Sequence, residues 1–142
     1  MTFNIRVYAI ITNEQEEILL ADEEYSGNRF TKFPGGGVEW GEGIIDALQR
    51  ESHEEMCQEL TNVIHFYTTD FFQLSSFNDK DQLISVYYTA KLSKPEELKI
   101  GAFPFDFTLG KPSFRWKKLL ELESADLRFP IDKIVLDKLK NQ

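Results

Sequence analysis

The chain has 142 residues, 42% hydrophobic and 13% aromatic, enough to fold as one domain with a real core and too apolar for wholesale disorder. A net charge of −8 lacks the basic footprint of a nonspecific nucleic-acid binder, so no nucleic-acid partner is expected. The single cysteine, Cys57, rules out an intrachain disulfide, and no apolar run approaches the roughly 18 residues that span a membrane. A cytoplasmic protein without a membrane partner is the expectation.

In chain order, FNIRVYAIIT (3–12) mixes alternation with β-branched residues and predicts a strand, with an arginine that also breaks any secretory leader. NEQEE then makes a polar turn, and ILLA (18–21) predicts a second strand, paired with the first as a hairpin. DEEYSGNRFTK (22–32) reads as a surface loop, and FPGGG (33–37) as a breaker of regular structure.

From Ile44 to about Leu60 the period becomes helical, with Ile45, Leu48, Ser52 and Met56 as the inward stripe. Segments 63–74 and 83–92 are β-rich and joined by SSFNDKD as a hairpin. The aromatic-rich segment 103–116 suggests a short strand near Trp116, with Phe103, Phe105 and Phe107 on a buried face. Pro130 opens a C-terminal amphipathic helix carrying Ile131, Ile134, Val135 and Leu139, with Asp132 near its start and lysines near its end. The expected architecture is α/β, with two helices around a mixed β-sheet.

The central helix carries the chemistry. Between Glu39 and Glu59 seven acids stand against one arginine, a net −6 of the chain's −8. At about 100° per residue, Glu51, Glu54 and Glu55 fall within an arc of roughly 100°. Three carboxylates on one narrow face form an oxygen-rich set suited to Mg²⁺ or Mn²⁺. Arg50 adjoins this face and suits a bidentate carboxylate contact, and the glycines at 35–37 let the backbone come close and offer a carbonyl. On charge alone, a solvated acidic face explains the helix at least as well.

Spacing shifts that balance. Gly36, Glu42, Arg50, Glu51, Glu54 and Glu55 fall without a gap on the first six fixed positions of G-x5-E-x7-R-E-U-x-E-E-x-G-U, where U is a bulky aliphatic. This stretch resembles the box of the Nudix (MutT-like) family. At roughly 6% per residue, six matches arise by chance in about one such chain in 10⁵, which outweighs the solvated-face reading. The order of elements before the box, and Arg115-Trp116 with the terminal helix after it, are also similar to Nudix proteins.

The resemblance implies a single α/β/α sandwich over 1–142 that hydrolyses the diphosphate linkage of a nucleoside diphosphate joined to another group. It implies Mg²⁺ or Mn²⁺ held by Glu51, Glu54, Glu55 and the Gly36 carbonyl. Arg50 would orient a glutamate, and Glu51 is the first choice of base. Many members add an acid just before the tryptophan equivalent to Trp116; KPSFRW has none, leaving Asp106, Glu96 or Glu97 as substitutes, or no such ligand. The residues downstream near Phe72, Gln73 and Leu74 support neither an ADP-ribose nor a dinucleoside-polyphosphate assignment.

Three positions depart from the box: Ser52 and Gln58 replace aliphatics, and Cys57 replaces glycine. Ser52 is expected to bond back to the carbonyl four residues earlier. Cysteine resists the left-handed conformation that ends such helices, so the helix is expected to run on to Leu60 and close near Asn62.

Arg29 and Lys32 flank the glycines and are candidates for the substrate's phosphates, with solvated surface charge as the alternative. Trp40, with Phe30 and Phe33, is a candidate for stacking a base. The pair His53 and Cys57 is too poor in partners for zinc. The expected partner is a small-molecule nucleoside diphosphate derivative, and a homodimer is left open. The alternative function is a non-catalytic Nudix-fold module that senses a nucleotide or sugar nucleotide.

Overall fold

The computed structural model describes residues 1–142. Seven strands and two α-helices follow in the order β1 (Thr2–Ile11), β2 (Glu17–Tyr25), β3 (Asn28–Lys32), β4 (Gly35–Gly37), α1 (Ile44–Met56), β5 (Leu60–Thr68), β6 (Asp81–Leu92), β7 (Ser113–Lys118) and α2 (Pro130–Lys140). One sheet has the order β4-β1-β6-β5 and mixes a parallel β1–β6 pair with antiparallel neighbours; the other runs β3-β2-β7.

β1 and β2 are apolar on both faces, and this fixes the layering. Val7, Ala9 and Ile11 of β1 with Leu19 and Ala21 of β2 pack under Ala47, Leu48 and Met56 of α1. The alternate residues Tyr8, Ile10, Ile18 and Leu20 pack on the other side against Ile131, Val135, Leu136 and Leu139 of α2. No helix is long and apolar enough to cross a membrane.

The expected β1–β2 hairpin does not form. Both edges of β1 are already taken, by β4 at Arg6–Tyr8 and by β6 along its whole length, so β2 joins the other sheet, and the only ladder pairing between the two segments is an isolated bridge just past β1, Thr12 to Ile18. Nor is 22–32 a loop: β2 and β3 form the hairpin, turning at Ser26-Gly27 with φ of 50° and 78°. A two-residue turn with positive φ at both positions matches strand twist, and the polar strand ends read as loop because they project beyond the core.

The helix also ends earlier than its sequence suggests. Cys57 stands at φ 57°, ψ 33° as a left-handed cap, its N–H donating to the His53 carbonyl. Tertiary tethers override the preference of cysteine. The Ser52 hydroxyl donates to the Gln58 carbonyl at 2.6 Å rather than back along the helix, and the Gln58 amide exchanges two bonds with the Lys94 backbone, at 2.9 and 2.8 Å. The Gln49 amide does the same with Leu60, both at 2.9 Å. Ile45 is 46% exposed, so the inward stripe is Ala47, Leu48, Ser52 and Met56.

Phe103, Phe105 and Phe107 lie on no strand. Their segment is a loop in which Phe105 has φ 60° and residues Phe107–Leu109 make one 3₁₀ turn, and Phe103 is 58% exposed. Two acids clamp it. Asp106 accepts from Ala102 N–H at 3.0 Å and from the hydroxyl and N–H of Thr108, while Asp22 accepts from Phe105 N–H at 3.1 Å.

Candidate active site

α1 leans its acidic face over β4. The closest approach is between Gly36 and Glu51, where a Cβ added to the glycine would collide with the Glu51 carboxylate. A side chain here would displace the Glu51 carboxylate, so glycine keeps that acid against the strand. The same position places the Gly36 peptide beside the acid.

Arg50 organises the face. Its Nε and Nη2 hold both oxygens of Glu42 at 3.0 and 2.8 Å, and Nη2 also donates to the Gly37 carbonyl at 2.8 Å. Nη1 reaches Glu51 at 3.2 Å and Glu54 at 3.3 Å. These contacts raise the Arg50 pKa further, with the Glu42 hydrogen bond as the largest cause. In return the Arg50 hydrogen bonds, seconded by the Glu39 N–H, lower that of Glu42.

Glu55 behaves in the opposite sense. Burial pushes its carboxyl up to about 7, and the neighbouring carboxylates of Glu23, Glu51 and Glu54 act the same way against the pull of Lys32. An acid held this far from its ordinary ionisation is under-compensated, and a hard cation beside it would restore the charge. No three His, Cys, Asp or Glu side chains converge as a ready metal-ligand set, because Arg50 stands between Glu51 and Glu54. The donor set still fits Mg²⁺ or Mn²⁺: oxygen ligands only, a backbone approach kept open by Gly36, and an acid left short of positive charge.

A cavity of about 380 Å³ lies beside the acidic face. Arg6, Glu23 and Lys32 line it, together with Tyr25, Phe30, Phe77, Phe129 and Asp132. Phe77 packs edge-on to Tyr25 at 4.9 Å between ring centres, and Phe30 to Phe129 at 5.2 Å. Asp132 is buried, with one oxygen bonded to the Tyr87 hydroxyl and the other, Oδ2, without a partner.

The sequence candidates fall in different places. Lys32 is buried and lines the cavity, its Nζ donating to the carbonyls of Phe33 at 3.2 Å and Gly35 at 3.1 Å and pairing with Glu23 at 2.9 Å. Burial opposes its charge, but Glu23 prevails and the pKa rises. Arg29 lies outside the cavity, over the rings of Phe105 and Phe107 at 5.7 and 5.2 Å. Trp40 is wholly exposed. Asp106 is spent on its own loop, and Glu96 and Glu97 are exposed on another. His53, Cys57 and His65 do not come together.

Sequence reading missed Glu23, Arg6 and Asp132. Glu23 was hidden in the apparent loop. A polar run alternating along a core strand, Asn4-Arg6-Tyr8, was the available signal for Arg6.

The NUDIX domain family model matches residues 2–137, so the chain belongs to the NUDIX domain family. Its fold is similar to a NUDIX hydrolase from Nitrosomonas europaea, with a TM-score of 0.72 and 19% identity over 98% of this chain and 89% of that one. A MutT protein described from Aliivibrio salmonicida and Vibrio cholerae superposes with a TM-score of 0.66 at 25% identity, covering 98% and 97% of the two chains. In sequence, the mouse 8-oxo-dGDP phosphatase NUDT18 is 41% identical over 59 residues, which is 39% of this chain and only 18% of that protein.

Proposed function

We propose that residues 1–142 form one cytoplasmic, divalent-metal-dependent hydrolase domain that cleaves the diphosphate linkage of a nucleoside diphosphate derivative. The observation that carries this reading is the junction of two features: the carboxylates of α1 gathered around Arg50, with Glu51 against Gly36, and, beyond Glu23 and Lys32, an aromatic cavity of about 380 Å³. That volume suits a base with its sugar.

Mg²⁺ or Mn²⁺ would be held by Glu51, Glu54, Glu55 and the Gly36 carbonyl, and when bound would supply charge to the diphosphate oxygens and acidify water. The residues of the chain do the rest. Arg50 fixes Glu51 and Glu54 from one side and ties them to Glu42 and Gly37. Glu51, mostly buried against Gly36, would accept the proton of the attacking water. Lys32 holds the carbonyls on either side of Pro34 and so sets the backbone that presents Gly36. The aromatic wall suits a planar base, and the unpartnered Asp132 oxygen suits a donor on its edge.

A hydrolysis screen with Mg²⁺ tests this. It should include dNTPs, 8-oxo-dGDP, nucleotide sugars, ADP-ribose and dinucleoside polyphosphates. Turnover of at least one, lost in Glu51→Gln, is the expected outcome. Tight nucleotide binding without turnover of any would instead favour a sensing module.

A further inference from the structure

Three cations crowd the glycine strand β4, and they differ in how their donors are spent. Arg50 has committed its fork to Glu42, Glu51, Glu54 and the Gly37 carbonyl. Lys32 donates to the carbonyls of Phe33 and Gly35 and is ion-paired with Glu23. Arg6 differs. Its Nε donates to the Tyr8 hydroxyl at 3.0 Å, while both terminal nitrogens form no hydrogen bond and no ion pair within the protein.

The position of Arg6 is as informative as its free donors. It pairs with Gly37 across β1 and β4, and a Cβ on Gly37 would stand 3.3 Å from its Nη1. Arg50 grips the carbonyl of that same glycine. Arg6 is thus half-buried at the border where the acidic face gives way to the cavity, and it lines the cavity wall. The Tyr8 bond fixes the plane of the guanidinium, so its order is established before any ligand arrives.

We propose that Arg6 is the phosphate-binding cation of this site, taking two oxygens of the substrate's diphosphate with its terminal nitrogens. The inference rests on the hydrolase reading above and assigns to β1 a role expected of Arg29 or Lys32. An unspent planar fork matches two phosphate oxygens, whereas Lys32 is turned onto two backbone carbonyls and neutralised by Glu23. A group bridging the acidic face and an aromatic cavity has to pass this arginine.

Calorimetric titration of inorganic pyrophosphate in Mg²⁺ tests the assignment on wild type, Arg6→Gln and Arg6→Lys, alongside Mn²⁺ titration alone. Arg6→Gln should weaken pyrophosphate about 10- to 100-fold and raise KM more than it lowers kcat. Mn²⁺ affinity should move by less than about threefold, and Arg6→Lys should fall between because it keeps charge without the fork. Wild-type pyrophosphate affinity in Arg6→Gln overturns the proposal, and so does a collapse of Mn²⁺ affinity, which would place Arg6 in the metal site. Should Arg6→Gln fail to fold, Arg6→Lys decides: an unchanged affinity there also overturns it. If wild type neither binds pyrophosphate nor turns over any nucleotide, the hydrolase reading itself fails and takes this assignment with it.

Discussion

Tyr87 of β6 and Asp132 of α2 meet in the core through a 2.5 Å hydrogen bond, hydroxyl to carboxylate. Burial pushes Asp132 up to about 6, against the pull of that hydroxyl and of Lys32. A folded pKa above the unfolded value near 3.9 gives stability that is fully present below the unfolded pKa and lost as pH rises through about 6. Asp132→Asn keeps the acceptor for Tyr87 and removes the charge. It should therefore be more stable than wild type at pH 8, by about 1–3 kcal/mol, with the advantage gone near pH 4. Urea unfolding at the two pH values checks this; a constant difference would show that Asp132 does not titrate between them.

Cys57 occupies a left-handed position at φ 57° without being glycine. Cys57→Gly should stabilise the fold by about 0.5–1 kcal/mol, since the strain relieved exceeds the added unfolded-state freedom. A loss of stability in chemical denaturation would instead support a helix running through position 57.

The carboxylates of α1 should be ranked by geometry rather than by charge. Glu51→Gln and Glu55→Gln should each lower kcat by several orders of magnitude, because Glu51 packs against Gly36 and both carboxylates flank the crevice between α1 and Pro34-Gly35. Glu42→Gln should cost less in rate but lower the melting temperature, since Glu42 holds two Arg50 nitrogens. Glu39→Gln should be nearly silent, its carboxylate being exposed and 3.9 Å from Arg50. Four comparable losses would mean that only the overall field matters.

Metal should stabilise the fold by mass action. At ten times its Kd, Mg²⁺ adds about 1.4 kcal/mol, or roughly 2–5 °C in Tm for a domain of this size. Glu51→Gln combined with Glu55→Gln should abolish the rise. A wild-type Tm indifferent to Mg²⁺ and Mn²⁺ would count against a cation on this face.

Much of this was legible in the sequence because it was local. The α1 acids follow from helical period, and α2 from its proline and apolar stripe, and both helices lie where their residues point. What escaped was set by distant partners. The β1–β2 pairing failed because β4 and β6 compete for β1, and no local pattern records that competition. Arg6, Glu23 and Asp132 come from three separate elements, β1, β2 and α2, and become neighbours only around the cavity. The end of α1 was misread because Ser52, Gln49 and Gln58 act through Leu60 and Lys94, residues outside the helix.

That last arrangement bears on how such chains are found. Ser52, Cys57 and Gln58 look like three independent lapses from the box, yet Ser52 bonds the Gln58 backbone across the left-handed turn at Cys57, and Gln58 bonds Lys94. They are one substitution spread over three sites. A pattern search that demands an aliphatic, a glycine and an aliphatic there discards a chain that ends its helix in the left-handed turn the glycine serves. Restoring those residues one at a time should give strongly non-additive stabilities, so homologues are expected to exchange the trio together.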